Sequence, residues 1–351
     1  MFRFLLCLIL VYTPVFSASA NGCIVVRPTS QLSIGLEDVH VRDDSGRFEF
    51  TTAYRYLTSD RHFRGREEET HRQEEGSDVR NTVHTVDFSL NYWMNEEWRF
   101  SAAVPYVDAR RSSLYEHDRV NRHTMRASGI GDLRLMAYKE NLFAGEDSVE
   151  RGVTIGFGVK LPTGDKDAKD IAYRPDGPEL RNVDQSIQLG DGGVGAIVEL
   201  QAFSSVLDDR TFAFFNASYL INPRDTNGVD THRSRPAEAV MSVPDTYQAR
   251  LGLTRVLGAK RSTSIDASLR VEGVPADDLI GDSNGFRRPG YAVYFEPAIN
   301  YQRGPHRWNL SVPVAVERNR TRSKPDRLTG RHGDAAFADY LVMSSYSFGW
   351  Q

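Results

Sequence analysis

Cysteine is almost missing from this 351-residue sequence, which has only Cys7 and Cys23. Cys7 falls in an N-terminal stretch with the marks of a signal peptide, so Cys23 is left alone and an intramolecular disulfide is excluded. Past that stretch there is no apolar run near the roughly 20 residues a membrane helix needs, so this chain could cross a membrane only with strands. An excess of one charge is lacking as well. Charged residues make up 26% of the chain, yet the formal net charge is −4, which does not describe a nucleic-acid binder. The nine histidines show no H-x-x-x-H or H-E-x-x-H spacing and no cysteine cluster accompanies them, so no metal site and no cofactor is expected. There is no G-x-S-x-G nucleophile elbow, and His84 and Ser89 fall on opposite faces of one strand, so an enzyme is not expected.

At the N-terminus, Arg3 precedes an apolar core from Phe4 to Val11, and Ala18-Ser19-Ala20 supplies an A-x-A cleavage site. Residues 1–20 therefore read as a secretory signal peptide. Residues 21–45 are polar with weak alternation, and read equally as a periplasmic segment, a lumen plug or a short extra strand. A lipid anchor on Cys23 would normally have Leu three residues earlier, where this chain has Ala20.

Alternation with a period of two dominates from residue 46 onward. It is sharpest in RGVTIGFGVKLPTGD at 151–165, where Val153, Ile155, Phe157, Val159 and Leu161 alternate with Gly152, Thr154, Gly156, Gly158 and Lys160. Twelve such segments can be counted. Long charged loops at 61–80, 111–126, 163–184, 222–245, 273–289 and 318–335 alternate with shorter turns at 94–97, 139–150, 204–210, 258–261 and 302–306. An even strand count, long loops on one side and both chain ends on the other predict an all-β fold. The expected architecture is a transmembrane antiparallel up-and-down β-barrel of outer-membrane type over 46–351. A soluble sandwich has no reason to alternate its loop lengths. Aromatic residues near strand ends, among them Tyr54, Tyr92, Tyr106, Tyr301, Trp308 and Trp350, fit the interfacial girdles of such a barrel.

With the apolar faces toward lipid, the lumen receives Arg55, Asp87, Asp132, Arg134, Lys160, Glu199, Arg250, Asp266, Arg270, Glu272, Glu296, Glu317 and Asp339. Such residues either select a solute by charge or pair across a narrow bore and fill it. In the first long loop, Glu67, Glu68, Glu69, Glu74 and Glu75 are candidates to bridge cations to lipopolysaccharide, with Arg61, Arg64, Arg66 and Arg72 for its phosphates; a plain solvated loop is the other reading. The ending Tyr346-Ser347-Phe348-Gly349-Trp350 resembles the aromatic signal by which the barrel-assembly machinery takes up bacterial barrels, except that Gln351 follows the last aromatic.

Three short stretches carry a family resemblance: GIGDL at 129–133, GVKLPTGD at 158–165 and LGDGG at 189–193. In this order and spacing they are similar to outer-membrane transporters of the meta-pathway of phenol degradation family. The resemblance implies a channel for aromatic or other small hydrophobic compounds. Read only as residues, the glycines also suit close backbone packing or bends in the barrel wall. The expectation is a porin-like transporter in the outer membrane of a Gram-negative bacterium, passing a small, amphipathic or hydrophobic solute by facilitated diffusion. Its partners would be outer-membrane lipid, lipopolysaccharide and the solute, with no nucleic acid. The alternatives are a structural or surface-binding barrel that acts through its loops and, third, an interfacial lipid hydrolase.

Overall fold

The computed structural model describes residues 45–142 and 151–351. The signal peptide, Cys23 and nearly all of the 21–45 segment lie outside the described residues. The main sheet contains fifteen strand segments, which make twelve staves. These are β1 (Arg47–Arg64), β2 (Arg80–Trp93), β3 (Trp98–Ser113), β4 (His123–Ile130 and Leu133–Leu142), β5 (Arg151–Leu161) and β6 (Gly195–Ser205). The second half continues with β7 (Thr211–Ile221), β8 (Thr246–Leu257), β9 (Thr263–Val274), β10 (Gly290–Arg303), β11 (His306–Ser311 and Val314–Asn319) and β12 (Ala335–Trp350). Glu67–Glu68 only extends the edge of β1. Each stave pairs antiparallel with its neighbour in sequence, and β1 pairs with β12 from Phe48↔Trp350 to Phe63↔Ala335. The sheet is thereby a closed barrel, which removes the edge whose unpaired backbone groups hydrocarbon would not tolerate.

The burial pattern is inverted relative to a soluble protein. Phe157 is 60% exposed, Leu269 55% and Leu251 52%, while Arg55 and Glu296 on the opposite faces are 2% and 0% exposed. Apolar side chains thus coat the outer wall and charged ones fill the interior, as the alternation predicts. At the short-turn end the outer wall carries a connected aromatic band. Phe48 lies 4.7 Å from Tyr92 and 5.7 Å from Trp350, Tyr301 lies 5.5 Å from Trp308, and Trp308 lies 5.4 Å from Tyr346.

A substitution at mid-wall tests this orientation. Leu251→Arg, in the middle of β8, is expected to cost about 2–4 kcal/mol, whereas Leu257→Arg at the turn end costs about 0–1 kcal/mol. Urea unfolding in phospholipid vesicles measures both. Equal costs at the two positions would mean that this face does not meet hydrocarbon.

Two features were not legible in the sequence. The staves run past the bilayer at the long-loop end: β1 reaches Arg64 and β4 begins at His123, both inside stretches read as loops. Water accepts the charged side chains there, and the ladder continues because ion pairs such as Arg61 with Glu68 hold it. Two loops also carry hairpins, Lys169–Arg174 with Gly177–Asn182 and Thr226–Asp230 with Val240–Ser242.

Two staves are interrupted. In β4 the break falls at Gly131-Asp132, opposite Pro105, whose carbonyl accepts the Gly131 N–H at 2.9 Å. In β11 it falls at Val312-Pro313, opposite Pro297, which accepts from Val312 at 3.2 Å. Proline cannot donate to a ladder, so it collects where the ladder is already broken.

Candidate functional site: the barrel interior

The three glycine-bearing motifs meet at the break in β4. Only Leu133–Leu142 of that stave pairs with β5, starting at Leu133↔Leu161, so the wall is unladdered above this level. The turn after β5 folds back into the gap. Thr163 Oγ1 donates to the Gly131 carbonyl at 2.9 Å and accepts the Leu133 N–H at 2.9 Å. The Asp132 carboxylate accepts the Gly164 N–H at 3.0 Å, and Asp165 accepts from Gly190 at 2.9 Å. Lys160 bonds Asp191 and stands 3.6 Å from Asp132. Glycine is required by contact: a Cβ on Gly164 would lie 2.8 Å from the Leu189 carbonyl oxygen and 2.9 Å from the Gly131 Cα. Higher up, hairpin strand Lys169–Arg174 lies against the free edge of β4, where Arg126 N–H donates to Asp170 at 2.7 Å.

Midway along the barrel, charges from β1, β8, β9 and β10 form one layer. Arg55 Nη2 donates to Glu272 at 2.7 Å, and Arg270 Nε donates to Glu296 at 2.5 Å and Nη1 to Gln248 at 3.0 Å. Arg250 donates to Ser268 at 2.9 Å and Asp266 at 3.2 Å, and stands 3.4 Å from Glu296. Each cation therefore has an acid within reach, the arrangement a low-dielectric interior demands. Toward the short turns a small cavity of about 140 Å³ is lined by Asp87, Arg134, Ser89 and Glu199 among others. Glu199 accepts from Tyr138 OH at 2.9 Å.

Toward the long loops the interior changes character. Ala172, Val183 and Ile187, from the loop that follows β5, are at most 1% exposed and pack among Leu57, Val83, Ala109, Met125, Leu341 and Met343. This folded-in loop puts an apolar plug inside the barrel. Beyond it opens a vestibule of about 1200 Å³, lined by twelve arginines and six carboxylates. Asp184 is one of these carboxylates. Arg288 grips it through Nη1 and Nη2, each at 2.7 Å, and Arg111 and Arg233 stand at 3.6 and 3.9 Å. Burial raises the Asp184 pKa, but Arg111 and Arg288 outweigh it and hold the carboxyl well below the usual range.

The structure brings Arg55, Asp266, Arg270, Glu272, Glu296 and Arg250 into the charged layer, Asp132 and Lys160 into the glycine knot, and Asp87, Arg134 and Glu199 around the small cavity. Glu317 and Asp339 stand elsewhere. A register shift between Val293 and Tyr294 puts Glu317 opposite the outward Val293, where it meets Arg66 at 2.8 Å and accepts from Tyr291 OH at 2.6 Å. Shifts beside Ser59 lift Asp339 out of the alternation, half-exposed between Arg61 and Arg318. One extra residue in a strand sends every later side chain to the other face. Of the lipopolysaccharide candidates, Arg61 pairs with Glu68, Arg64 with Glu69, and Arg72 with Asp334. His84 bonds Tyr54 at 2.8 Å while Ser89 lines the inner cavity, so the two do not meet. Among the described residues no group of three or more His, Cys, Asp or Glu is placed to hold a metal ion.

The vestibule arginines escaped the sequence reading because they are spread over different loops, in each of which cations and acids are mixed. A signal was present: the chain has 37 arginines and six lysines, a bias that favours planar, two-pronged contacts with oxyanions over simple solubility.

No protein-family model matches this chain, and no curated protein matches its sequence. The motif resemblance to the phenol-degradation family therefore has no family match beside it. Among solved structures, an outer membrane channel from Pseudomonas putida F1 is similar at 14% identity, over 89% of this chain and 99% of that one, with a TM-score of 0.56. The beta domain of the Bordetella autotransporter BrkA aligns at 13% identity over 87% and 100%, with a TM-score of 0.46. The Pseudomonas putida toluene transporter TodX aligns at 11% over 96% and 100%, with a TM-score of 0.42. The first of these likenesses establishes the fold, a barrel of outer-membrane type; the other two add nothing to it.

Proposed function

We propose that this barrel is a bacterial outer-membrane channel that lets a small amphipathic solute pass by facilitated diffusion, without covalent chemistry of its own. The observation that carries the reading is the layering of the interior. A wide charged vestibule leads to an apolar plug built from a folded-in loop, then to a layer of ion pairs, then to a second small cavity. A barrel serving only as a scaffold for its loops has no need of cavities on both sides of a plug built from a loop. Likeness in fold to an outer membrane channel agrees with this reading.

Planar-bilayer conductance tests it. The protein refolded without its signal peptide should give small or rare current steps. Replacing the hairpin 169–182 with a short glycine linker should raise them severalfold, because it removes Ala172 from the plug and loosens the chain that holds Val183 and Ile187. A further variant lacking 21–45 asks whether that segment also gates. Folded barrels that stay silent in all three forms would reject the channel and favour a surface-binding barrel.

A further inference from the structure

Two arginines stand directly opposite one another on the outer wall, toward the long-loop end: Arg110 of β3 pairs with Arg126 of β4. Their inward neighbours fix the direction. Ala109, Met125 and Ala127 are at most 6% exposed and belong to the apolar cluster inside the bore, so Arg110 and Arg126 point away from it, and both are exposed. Like charges directly opposite on one face repel. The neighbouring acids relieve them little. Asp108 stands 3.4 Å from Arg110 in a pair open to water, which contributes little. Asp170 accepts the backbone N–H groups of Arg126 and Ile171 at 2.7 and 2.8 Å. Among the described residues the Arg126 guanidinium has no hydrogen bond or ion pair. Arg80 of β2 lies diagonal to Arg110, in the register Thr82↔Arg110 and Arg80↔Ser112, and adds a third exposed cation, held on one edge by Asp78 at 2.6 Å.

Lower on the same face the wall turns apolar, at the pair Tyr106↔Ile130, which are 46% and 60% exposed. At about 3.4 Å per residue and a tilt of about 40°, Arg110 stands roughly 10 Å above that edge of the apolar band, a height from which a long side chain reaches headgroup phosphates. We infer that Arg110 and Arg126, with Arg80 beside them, bind a phosphorylated glycolipid of the outer leaflet, its phosphate between the two guanidinium groups and its acyl chains on the wall at Tyr106 and Ile130. A phosphate takes two-pronged bonds from guanidinium groups and cancels the repulsion between them. The first-loop arginines, candidates for this ligand from the sequence, are already engaged: Arg61 holds Glu68, Arg64 holds Glu69, Arg66 holds Glu317 and Arg72 holds Asp334. The inference needs the barrel to lie in an outer membrane and is independent of whether it conducts.

Native mass spectrometry of the refolded mature chain in detergent tests it, by titration with bis-phosphorylated lipid A and with the same lipid stripped of its phosphates. The phosphorylated form should bind at least about tenfold more tightly, a difference of about 1.4 kcal/mol. Inorganic phosphate should not displace it, because the acyl chains hold the lipid to the wall as well. Arg110→Gln with Arg126→Gln, its folding verified by heat-modifiable gel mobility, should lose about tenfold or more in affinity, and Arg61→Gln with Arg64→Gln should lose none. Without lipid, the Arg110 and Arg126 double variant should resist urea at least as well as the parent, since it removes a repulsion. Equal binding of the stripped lipid, displacement by inorganic phosphate, or unchanged affinity in the folded Arg110 and Arg126 double variant would each overturn the site. So would an equal loss from the first-loop variant, which would place the lipid there, or a lipid-free double variant less stable than the parent, which would mean that the arginines serve the protein's own contacts.

Discussion

Glu296→Ala should be the most damaging single change in the barrel interior, lowering stability by about 3–5 kcal/mol. Glu296 is fully buried and accepts from Arg270 at 2.5 Å with Arg250 at 3.4 Å, so its removal leaves two guanidinium groups in the low-dielectric interior with fewer acids. The partners that remain are weaker. Arg270 keeps Gln248 and a Glu272 3.9 Å away, and Arg250 keeps Asp266 at 3.2 Å. Urea unfolding in vesicles gives the loss, and a double variant separates charge from packing. Arg270→Met with Glu296→Leu removes the cation together with its acid, and should recover much of the stability, since a buried ion pair is worth little more than apolar groups of its volume. If the double variant is as unstable as Glu296→Ala, uncompensated charge is not the cause.

Gly190→Val should come next, at about 3 kcal/mol, with a gain in leak current. A Cβ at Gly190 would lie 2.6 Å from the Gly164 carbonyl oxygen and 2.7 Å from Asp132 Oδ1. One neighbour is backbone and the other is fixed by the Gly164 N–H, so neither can move aside without opening the knot. The knot fills the part of the wall where β4 and β5 are not paired, so its loss should both destabilise the barrel and let ions through. Gly349→Ala is the control. A Cβ there meets nothing nearer than 3.6 Å, and its effect should stay within about 0.5 kcal/mol. A stable, tightly closed Gly190→Val barrel would show that the knot does not seal the wall.

The sites differ in how much of them could be read without coordinates. The charged layer was legible because Arg55, Arg250, Arg270 and Glu296 each sit one residue out of phase with an apolar face, and a period of two assigns the face without knowing the fold. Their partners were not legible. Arg55 meets Glu272 across 217 positions of chain, a distance only barrel closure removes. Glu317 and Asp339 obey the same alternation on paper and leave it in the structure, because a bulge is a property of two paired strands and leaves no mark in either one alone. The glycine motifs announced close packing but not against what. That the segments 129–133, 158–165 and 189–193 close one gap together became visible only when their backbones met.

The sequence by itself determined the number of staves, the face each turns to lipid, which ends carry the long loops, and hence the closed barrel. These follow from a local period and from the cost of unpaired backbone in hydrocarbon, and both act along a short length of chain. Tertiary structure alone decided what fills the bore: which acids neutralise which bases, where the plug from the loop after β5 lodges, and that arginines from separate loops converge on one vestibule. Those outcomes depend on distances between residues far apart in the chain, set by closure and strand register, and no local pattern encodes them.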